Sequence, residues 1–587
     1  MEKRVLIAIF LSFLVLYLYQ AFVGSPESPS GAPGKPGAAA HAIPGAATSK
    51  QAGAGGQPET PAAPRPEAAP AAPTPATVLG DSVERDVRVE TRDVVATFTN
   101  RGARLKSWQL KHYFNQTTGA PLELVANDLA ATHPLPFTLK VDSPQVSDTL
   151  NSALYVVHEA PSGSAAESTP TAVTFEYRNT AGVHAVKTFR LDPDSYAFTF
   201  RAEVTDGDRP LRTTVVWGPA VGDAGNETSR YVQKPEGLYF DTKVRRVTPK
   251  DIAKQSTYQG DFRYAGVDDH YFLTTALFPG NSTVTFQPVV VPPAAGTKDA
   301  ERDLVSYSIT PSAAGSTMKF FVGPKDFDVL SGIDRDFVRA INFGIFAILV
   351  VPLLRSLEWV NGYIGNYGWS IITLTIIINA IMFPLRHKSV VSMRKMQEVQ
   401  PQVKAIQERY AKLKATDPAK QKMNQELMAL YREKGVNPAS GCLPMILTMP
   451  VLFAMWSLLS TAIELRGAPW FGWIHDLSAH DPLYVWPVLM GVTQLWQQKI
   501  TPTAGADPTQ QKMMMVMPVV FTAMFLWAPA GLAIYYGVTN LWGIGQQYVT
   551  NRLIGPPQVH NVRPAAERRV KRVGGGKTEA ASRESPS

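Results

Sequence analysis

Hydrophobic and polar positions divide this sequence into two parts with different periodicities. From residues 78 to 325, short runs alternate apolar and polar side chains, as in Val94 to Thr99, and Gly, Asp, Asn and Pro punctuate them. A period of two is typical of strands that bury one face. We therefore predict a large antiparallel β-sandwich over this region.

Five apolar stretches follow, and none has Asp, Glu, Lys or Arg in its interior. We predict transmembrane helices at residues 366–385, 442–463, 483–499, 513–529 and 530–550. Their uncharged polar residues gather toward the ends that carry basic residues, and basic ends usually face the cytosol. This asymmetry predicts a dry outer half and a wet inner half, which indicates a half-open cavity rather than a pore.

The N-terminal region predicts one further membrane segment and a linker. Residues 1–23 begin Met-Glu-Lys-Arg and continue as an uncharged apolar run that is longer than a typical signal-peptide core. We interpret it as an uncleaved transmembrane anchor. Residues 24–77 are rich in Pro, Ala, Gly and Ser and should form a solvated linker. The prediction is a polytopic α-helical membrane protein with six transmembrane helices, both termini cytosolic, and the β-sandwich in the periplasm.

The segment 333–358 lies between the two parts and is apolar, but it carries Pro352, Arg355 and Glu358. If it crossed the membrane, the next crossing would bring the basic residues from Arg386 onward to the outer side, against the orientation bias. We therefore predict an amphipathic helix that lies in the outer interface.

Residues 386–436 carry an apolar stripe at steps of three and four, which Asp417-Pro418 interrupts before a second helix that ends near Gly435. This pattern predicts a cytosolic helical hairpin that closes on its own stripe. Its basic face is either simply solvated or in contact with anionic lipid or a ribosome. The basic tail, 551–587, has the composition of a disordered segment, and basic tails of this kind can also contact ribosomal RNA.

Composition excludes several classes of function. The single cysteine, Cys442, excludes an intramolecular disulfide, and the net charge of +8 comes from basic residues that flank the apolar stretches. The loop 464–482 holds two His-Asp pairs, but their spacing favours turn-making and capping over a metal site. Pumps and intramembrane proteases need ionisable groups at depth, which the stretches lack. We expect no catalytic residue, no cofactor and no metal.

A small set of polar residues inside the stretches is the candidate chemistry. Thr375 and Asn379 are four residues apart, so they share one helix face, and Tyr536 with Asn540 repeats that spacing. Gln494 is a supporting polar residue on another stretch. Amides in lipid must find partners or water, so the set either lines a wet groove or forms hydrogen bonds between helices. The spacing leaves both explanations open.

Several strings in the membrane part together resemble one family. They are Gly368-Trp369-Ser370-Ile371-Ile372, Asn437-Pro438 with Gly441-Cys442 and Pro444, Trp473-Ile474-His475-Asp476-Leu477-Ser478 with Asp481-Pro482, Asp507-Pro508 with Gln510-Gln511-Lys512, and Gly531-Leu532 with Tyr535-Tyr536 and Asn540. The sequence resembles the YidC/Oxa membrane protein insertase family, in its Gram-negative form with a large periplasmic domain.

The resemblance implies a non-enzymatic insertase and chaperone of the bacterial inner membrane that acts with and without the Sec translocon. It implies a cytosol-open hydrophilic groove that accepts the polar flank of a nascent membrane segment. By position, the groove residues are Thr375, Asn379, Met449, Leu452 and Tyr536. The implied partners are nascent membrane proteins, Sec translocon subunits, the ribosome and membrane lipids, and no DNA.

The chain departs from the family at one groove position. The family often has an arginine there, and this chain has Asn379, so we expect groove hydration, bilayer thinning and the basic hairpin to suffice. Two other functions are weighed against insertion. A passive channel or solute carrier predicts polar residues through the full depth of the helices and an internal repeat. An anchored periplasmic glycan-binding protein predicts that deletion of residues 80–320 abolishes its role, whereas the same deletion should largely spare an insertase.

Overall fold

The computed structural model describes residues 76–116, 118–159, 171–221, 232–292, 301–410, 418–436, 443–501 and 508–554. The predicted anchor at 1–23, nearly all of the linker at 24–77, and all but the first four residues of the basic tail at 551–587 lie outside these residues. The structural statements below concern the described residues.

Two antiparallel sheets form the N-terminal part, as the alternating pattern predicts. The smaller sheet has the order β2-β3-β4-β5, with β2 Asp86–Glu90, β3 Val94–Thr99, β4 Arg104–Phe114 and β5 Pro121–Glu123. The larger sheet consists, among the described residues, of β1 Thr77–Leu79, β6 Thr138–Lys140, β7 Val156–Glu159, β8 Thr171–Asn179, β9 Val183–Leu191, β10 Ala197–Asp206, β11 Arg209–Pro210, β12 Thr214–Ala220, β13 Glu236–Phe240, β14 Val244–Val247, β15 Thr257–Asp268, β16 Phe272–Val291, β17 Arg302–Pro311 and β18 Thr317–Pro324.

Aromatic side chains fill the space between the two sheets. The rings of Trp108 on β4 and Phe198 on β10 lie 4.9 Å apart, and those of Phe98 on β3 and Phe189 on β9 lie 4.6 Å apart. Because each pair joins strands of different sheets, the sheets pack face to face. The longest hairpin, β15 with β16, pairs Asp268 with Leu273 at its turn and so carries the turn to one end of the sandwich.

Two short helices lie within the sheet region, α1 Pro144–Ser152 and α2 Pro249–Ile252. Helices dominate the C-terminal part, where they are α3 Phe327–Ile333, α4 Ala347–Ile364, α5 Tyr367–Arg409, α6 Ala419–Glu433, α7 Leu443–Thr461, α8 Val485–Ile500, α9 Pro508–Phe525 and α10 Ala530–Ile554. Helices α5, α7, α8, α9 and α10 coincide with the five predicted apolar stretches. Helix α5 continues past the predicted end of its stretch without a break, so it also forms the first arm of the hairpin.

Within the described chain, two helical segments are long enough and apolar enough to cross a membrane, Gly344–Ile364 and Tyr367–Arg409. Two other apolar helices are shorter, Thr448–Thr461 and Met515–Phe525. The first of these segments contains α4, which begins and ends later than the interfacial helix predicted at 333–358. Helix α4 buries Val350, Leu354 and Leu357 and leaves Ile348 exposed, and Ile345 just before the helix is exposed as well. Its length and composition therefore also permit a crossing.

The hairpin closes on its apolar stripe, as predicted. Val399 and Val403 of α5 form a buried cluster with Leu427 of α6 and with Val436, and Met396 and Ile406 of the predicted stripe pack against this cluster. At the far end, Tyr410 donates a hydrogen bond to Glu426 across 2.7 Å. The cluster is separate from the main core, so the hairpin packs as a unit of its own.

Candidate functional site

A line of hydrogen bonds along one face of α5 forms the centre of the site. Asn366 caps the start of the helix, because its side-chain oxygen accepts from the amides of Gly368 and Trp369. Further along, Thr375 donates from Oγ1 to the carbonyl of Ile371 across 2.6 Å, and Asn379 donates from Nδ2 to the carbonyl of Thr375 across 2.8 Å. The two predicted residues are therefore joined directly.

Arg386 extends this line toward the basic end of the helix. Its Nη1 donates to Oδ1 of Asn379 across 2.9 Å. The sequence has the neutral Asn379 at the position where the family often has an arginine. The structure brings a half-buried guanidinium to that position from two turns away on the same helix.

The polar line is covered in this structure. The exposed fractions of Thr375 and Asn379 are 0% and 3%, so neighbouring helices screen both side chains. Helices α5, α7 and α10 contact one another, and they carry all five groove residues that the resemblance implies. Met449 and Leu452 on α7 and Tyr536 on α10 are half-buried. The accessible part of the implied groove is therefore on α7 and α10.

Tyr536 and Asn540 have different environments, although they are four residues apart on α10. The ring of Tyr536 packs edge-on against Phe525 of α9, with 4.8 Å between centroids. Asn540 donates from Nδ2 to the carbonyl of Met490 across 3.2 Å and to Oγ1 of Thr493 across 3.4 Å, both on α8. Asn540 thus forms hydrogen bonds between helices, while Gln494 lies half-buried beside Thr493.

A second polar cluster ties the base of the hairpin to the end of α10. Nδ1 of His387 lies 3.3 Å from Oγ1 of Thr550. Arg394, seven residues further along α5, donates a hydrogen bond to Oδ1 of Asn551. Gln547 donates to the same Asn551 oxygen across 2.9 Å. The sequence analysis did not single out His387, Arg394 or Thr550, although His387 and Arg394 are seven residues apart on α5, as Asn379 and Arg386 are.

Large apolar side chains are exposed on the outer faces of two neighbouring helices. They are Val485, Val488, Leu489, Val492 and Trp496 on α8, and Met515, Val516, Val519 and Val520 on α9. A contiguous exposed apolar surface marks contact with lipid or with another apolar segment. The helices therefore combine a polar line on the inside with an apolar exterior.

The loop 464–482 is held by capping bonds, as its spacing predicts. The buried carboxylate of Asp481 accepts from the amides of Leu483 and Trp486 and from the indole of Trp473, at distances of 2.8 to 3.0 Å. Asp476 accepts from the amide and the hydroxyl of Ser478. No group of three potential metal ligands occurs in the part of the chain that the structure describes.

Comparisons with known proteins agree with this geometry. The family described as "60Kd inner membrane protein" matches residues 359–556, and the family described as "YidC periplasmic domain" matches residues 86–356. The chain is 35% identical over 570 residues to the membrane protein insertase YidC of Syntrophus aciditrophicus, covering 94% of this chain and 100% of that one. This chain belongs to the YidC family of membrane protein insertases.

The predicted resemblance is thereby confirmed, and other similar proteins carry the same name. The insertase YidC of Geobacter sulfurreducens is 36% identical over 468 residues, which cover 78% of this chain and 84% of the relative. These relatives are named as insertases, not as enzymes. Inner-membrane placement with a periplasmic domain fits both matched families.

Two solved structures are similar over part or most of the chain, with low scores. A crystal structure of an active YidC insertase covers 81% of this chain and 94% of its own, at 20% identity and a TM-score of 0.33. A putative aldose 1-epimerase from Escherichia coli K12 covers 41% of this chain, at 10% identity and a TM-score of 0.26. Neither score supports an argument about function.

Proposed function

We infer that this protein inserts membrane proteins into the bacterial inner membrane and assists their folding, without covalent chemistry. When the helices that cover it open toward the cytosol, the line from Thr375 through Asn379 to Arg386 receives the polar flank of a nascent segment. Its apolar part passes along the exposed faces of α8 and α9 into lipid. The observation that carries this proposal is the Asn379–Arg386 pair, which places hydrogen-bonding groups and a positive charge among packed helices that expose apolar side chains on their outer faces.

The proposed topology has six crossings, with the anchor at 1–23 followed by the five apolar stretches. Both termini are cytosolic and the sandwich is periplasmic, which leaves 333–358 in the outer interface. The basic hairpin, the basic tail and the positive ends of the crossings then lie on the cytosolic side, in agreement with the orientation bias. On that side the hairpin and the tail meet the ribosome, and other faces contact Sec translocon subunits.

Short crossings supply part of the proposed mechanism. Helix α8 has 16 residues, so it spans only about 24 Å, against roughly 30 Å for the hydrocarbon core. A bilayer thins to match short apolar helices. Thinning beside a polar line shortens the apolar distance that a client's polar flank must cross, which lowers the barrier to insertion.

The experiment replaces Thr375 and Tyr536 together with Leu and measures insertion of a small Sec-independent client into reconstituted vesicles. The loss of both polar groups should slow insertion. The matched control replaces Ile376 and Tyr548 with Leu, which changes exposed positions on the same two helices, α5 and α10. Slower insertion in the first variant alone supports the groove. Equal rates for both variants and the unmodified protein would contradict it.

A further inference from the structure

A groove on the large sheet is lined by polar side chains. Its volume is about 200 Å³, and all seven residues that line it are polar, among them Arg212, Gln259, Asn281, Thr283 and Thr310. Most ligand pockets are lined mainly by apolar and aromatic side chains, with a few polar groups among them. A lining of hydroxyls, amides and one guanidinium therefore suits a ligand that is itself polar over its whole surface.

The register of the strands explains why these side chains meet. Gln259 on β15 lies opposite Thr283 on β16, and Thr283 lies opposite Thr310 on β17. The hydroxyls of Thr310 and of Thr214 on β12 are 2.7 Å apart. Because directly opposite residues of neighbouring strands point to the same face of a sheet, these four side chains form a polar row across four strands.

Two amide side chains add hydrogen-bonding capacity to this row. Gln259 ends the row, and Asn281 lies two residues before Thr283 on the same face of β16. Both residues are exposed, so their amides face solvent. Each amide has two N–H donors and a carbonyl acceptor, whereas a hydroxyl has one donor. The groove can therefore donate to and accept from neighbouring groups of one ligand.

The charges at the groove favour a neutral ligand. Arg212 is the one ionised residue of the lining, and Asp261 lies opposite Asn281 in the register of β15 and β16. Arg212 and Asp261 are both exposed and carry opposite unit charges. Their fields offset each other, so the groove does not concentrate ligands of either sign.

The position of the groove within the sheet argues against a peptide that binds as an added strand. At Thr283, β16 is paired with β15 on one side and with β17 on the other. Peptide recognition by strand addition requires an unpaired sheet edge. The groove therefore offers side chains rather than backbone groups, and its lining provides no pocket for an apolar side chain of a peptide.

We propose that this groove binds a neutral saccharide, whose hydroxyl and acetamide groups exchange hydrogen bonds with the amides of Gln259 and Asn281 and with the threonine hydroxyls. Pockets for drug-sized ligands have volumes of about 300 Å³ or more, so this groove holds a single sugar ring and leaves the rest of a chain in solvent. The inference concerns the periplasmic domain alone. It is independent of client insertion, which should proceed without the groove.

The test measures NMR saturation transfer from the full-length protein in lipid nanodiscs to chitotetraose, a neutral oligosaccharide of N-acetylglucosamine. The unmodified protein should transfer saturation to the sugar. The double variant Gln259→Ala/Asn281→Ala should bind it about ten-fold more weakly or worse, because several hydrogen bonds are lost. The matched control, Gln145→Ala/Gln287→Ala, removes two exposed amides of the same domain outside the groove and should bind normally. No transfer from the unmodified protein, or equal affinity of the two double variants, would overturn the proposal.

A second probe and an insertion assay separate the alternatives. Equal or tighter binding of the peptide Gly-Ser-Gly-Ser, with the same dependence on Gln259 and Asn281, would show that the groove takes a polar peptide and would contradict the saccharide. Client insertion should be equal for the unmodified protein and both double variants, which also shows that the variants fold. Slower insertion by Gln259→Ala/Asn281→Ala alone contradicts a separate role for the groove. An absence of insertion in all three proteins, with sugar binding intact, contradicts the proposed function and leaves the saccharide site standing.

Discussion

Arg386 donates a hydrogen bond to the side-chain oxygen of Asn379 across 2.9 Å, although the two residues are two turns apart on α5. The amide orients the guanidinium toward the polar line, and the remaining N–H groups of the guanidinium are suited to an incoming carboxylate. A neutral residue at position 379 therefore does not make this region neutral.

Replacement of Arg386 with Gln should slow insertion of a client with an acidic flank by about ten-fold or more, since a hydrogen bond to a charged group contributes about 1.5–3 kcal/mol. The same client with a neutral flank should be affected much less. Lys388→Gln removes an exposed charge two residues away and serves as the control. Equal slowing for both flanks would show that Arg386 acts through folding rather than through client charge.

Asn540 is predicted to stabilise the packing of α10 on α8 without taking part in client contact. Replacement with Leu should lower the free energy of unfolding in bilayers by about 0.6 kcal/mol and leave insertion unchanged. A double-mutant cycle with Thr493→Val tests the contact directly, because the two changes should not be additive. Slower insertion with unchanged stability would place Asn540 in the groove instead.

Gly368 is predicted to be required for the contact between the start of α5 and the loop 464–482. A Cβ at this position would lie 2.1 Å from Cδ1 of Trp470 and 2.6 Å from its Cβ, so the indole cannot avoid it by rotation alone. Gly368→Ala should therefore lower stability by about 1–3 kcal/mol, measured by thermal unfolding in detergent.

The matched control for Gly368 is Gly362→Ala on α4, where an added Cβ meets nothing within 4 Å. Alanine is the better helix former by roughly 0.5–1 kcal/mol, so this variant should be as stable as the unmodified protein or slightly more stable. Similar losses in both variants would contradict the role assigned to Trp470.

The periodicity of apolar residues and the placement of charged residues predicted the helices and strands well, because both depend on which faces of an element are buried. The alternating runs became the two sheets, the five apolar stretches became α5 and α7 to α10, and the stripe closed the hairpin. Lys187 shows the limit of such patterns. Alternation along β9 places it on the core face between Ala185 and Phe189, and the structure shows its ammonium bound by the carbonyls of Gly102, Ala103 and Phe137, which distant loops supply.

The roles of individual polar residues were less predictable for a related reason. Thr375–Asn379 and Tyr536–Asn540 have the same spacing, yet Asn379 lies on a line with Arg386 while Asn540 bonds to α8. The difference depends on which helix lies opposite each face, and spacing within one helix carries no information about its neighbours. The reach of Arg386 depends on a side-chain rotamer, which is likewise not encoded in a local pattern.

The most direct test of the account is access of water to the polar line from the cytosol. Single cysteines at positions 371, 379 and 536, in a Cys442→Ser background, are exposed to a membrane-impermeant thiol reagent added on the cytosolic side. Since positions 371 and 379 are both covered in this structure, reaction at 379 requires the helices to open toward the cytosol. The account predicts that 379 and 536 react and that 371 does not. Equal protection at all three positions would contradict it.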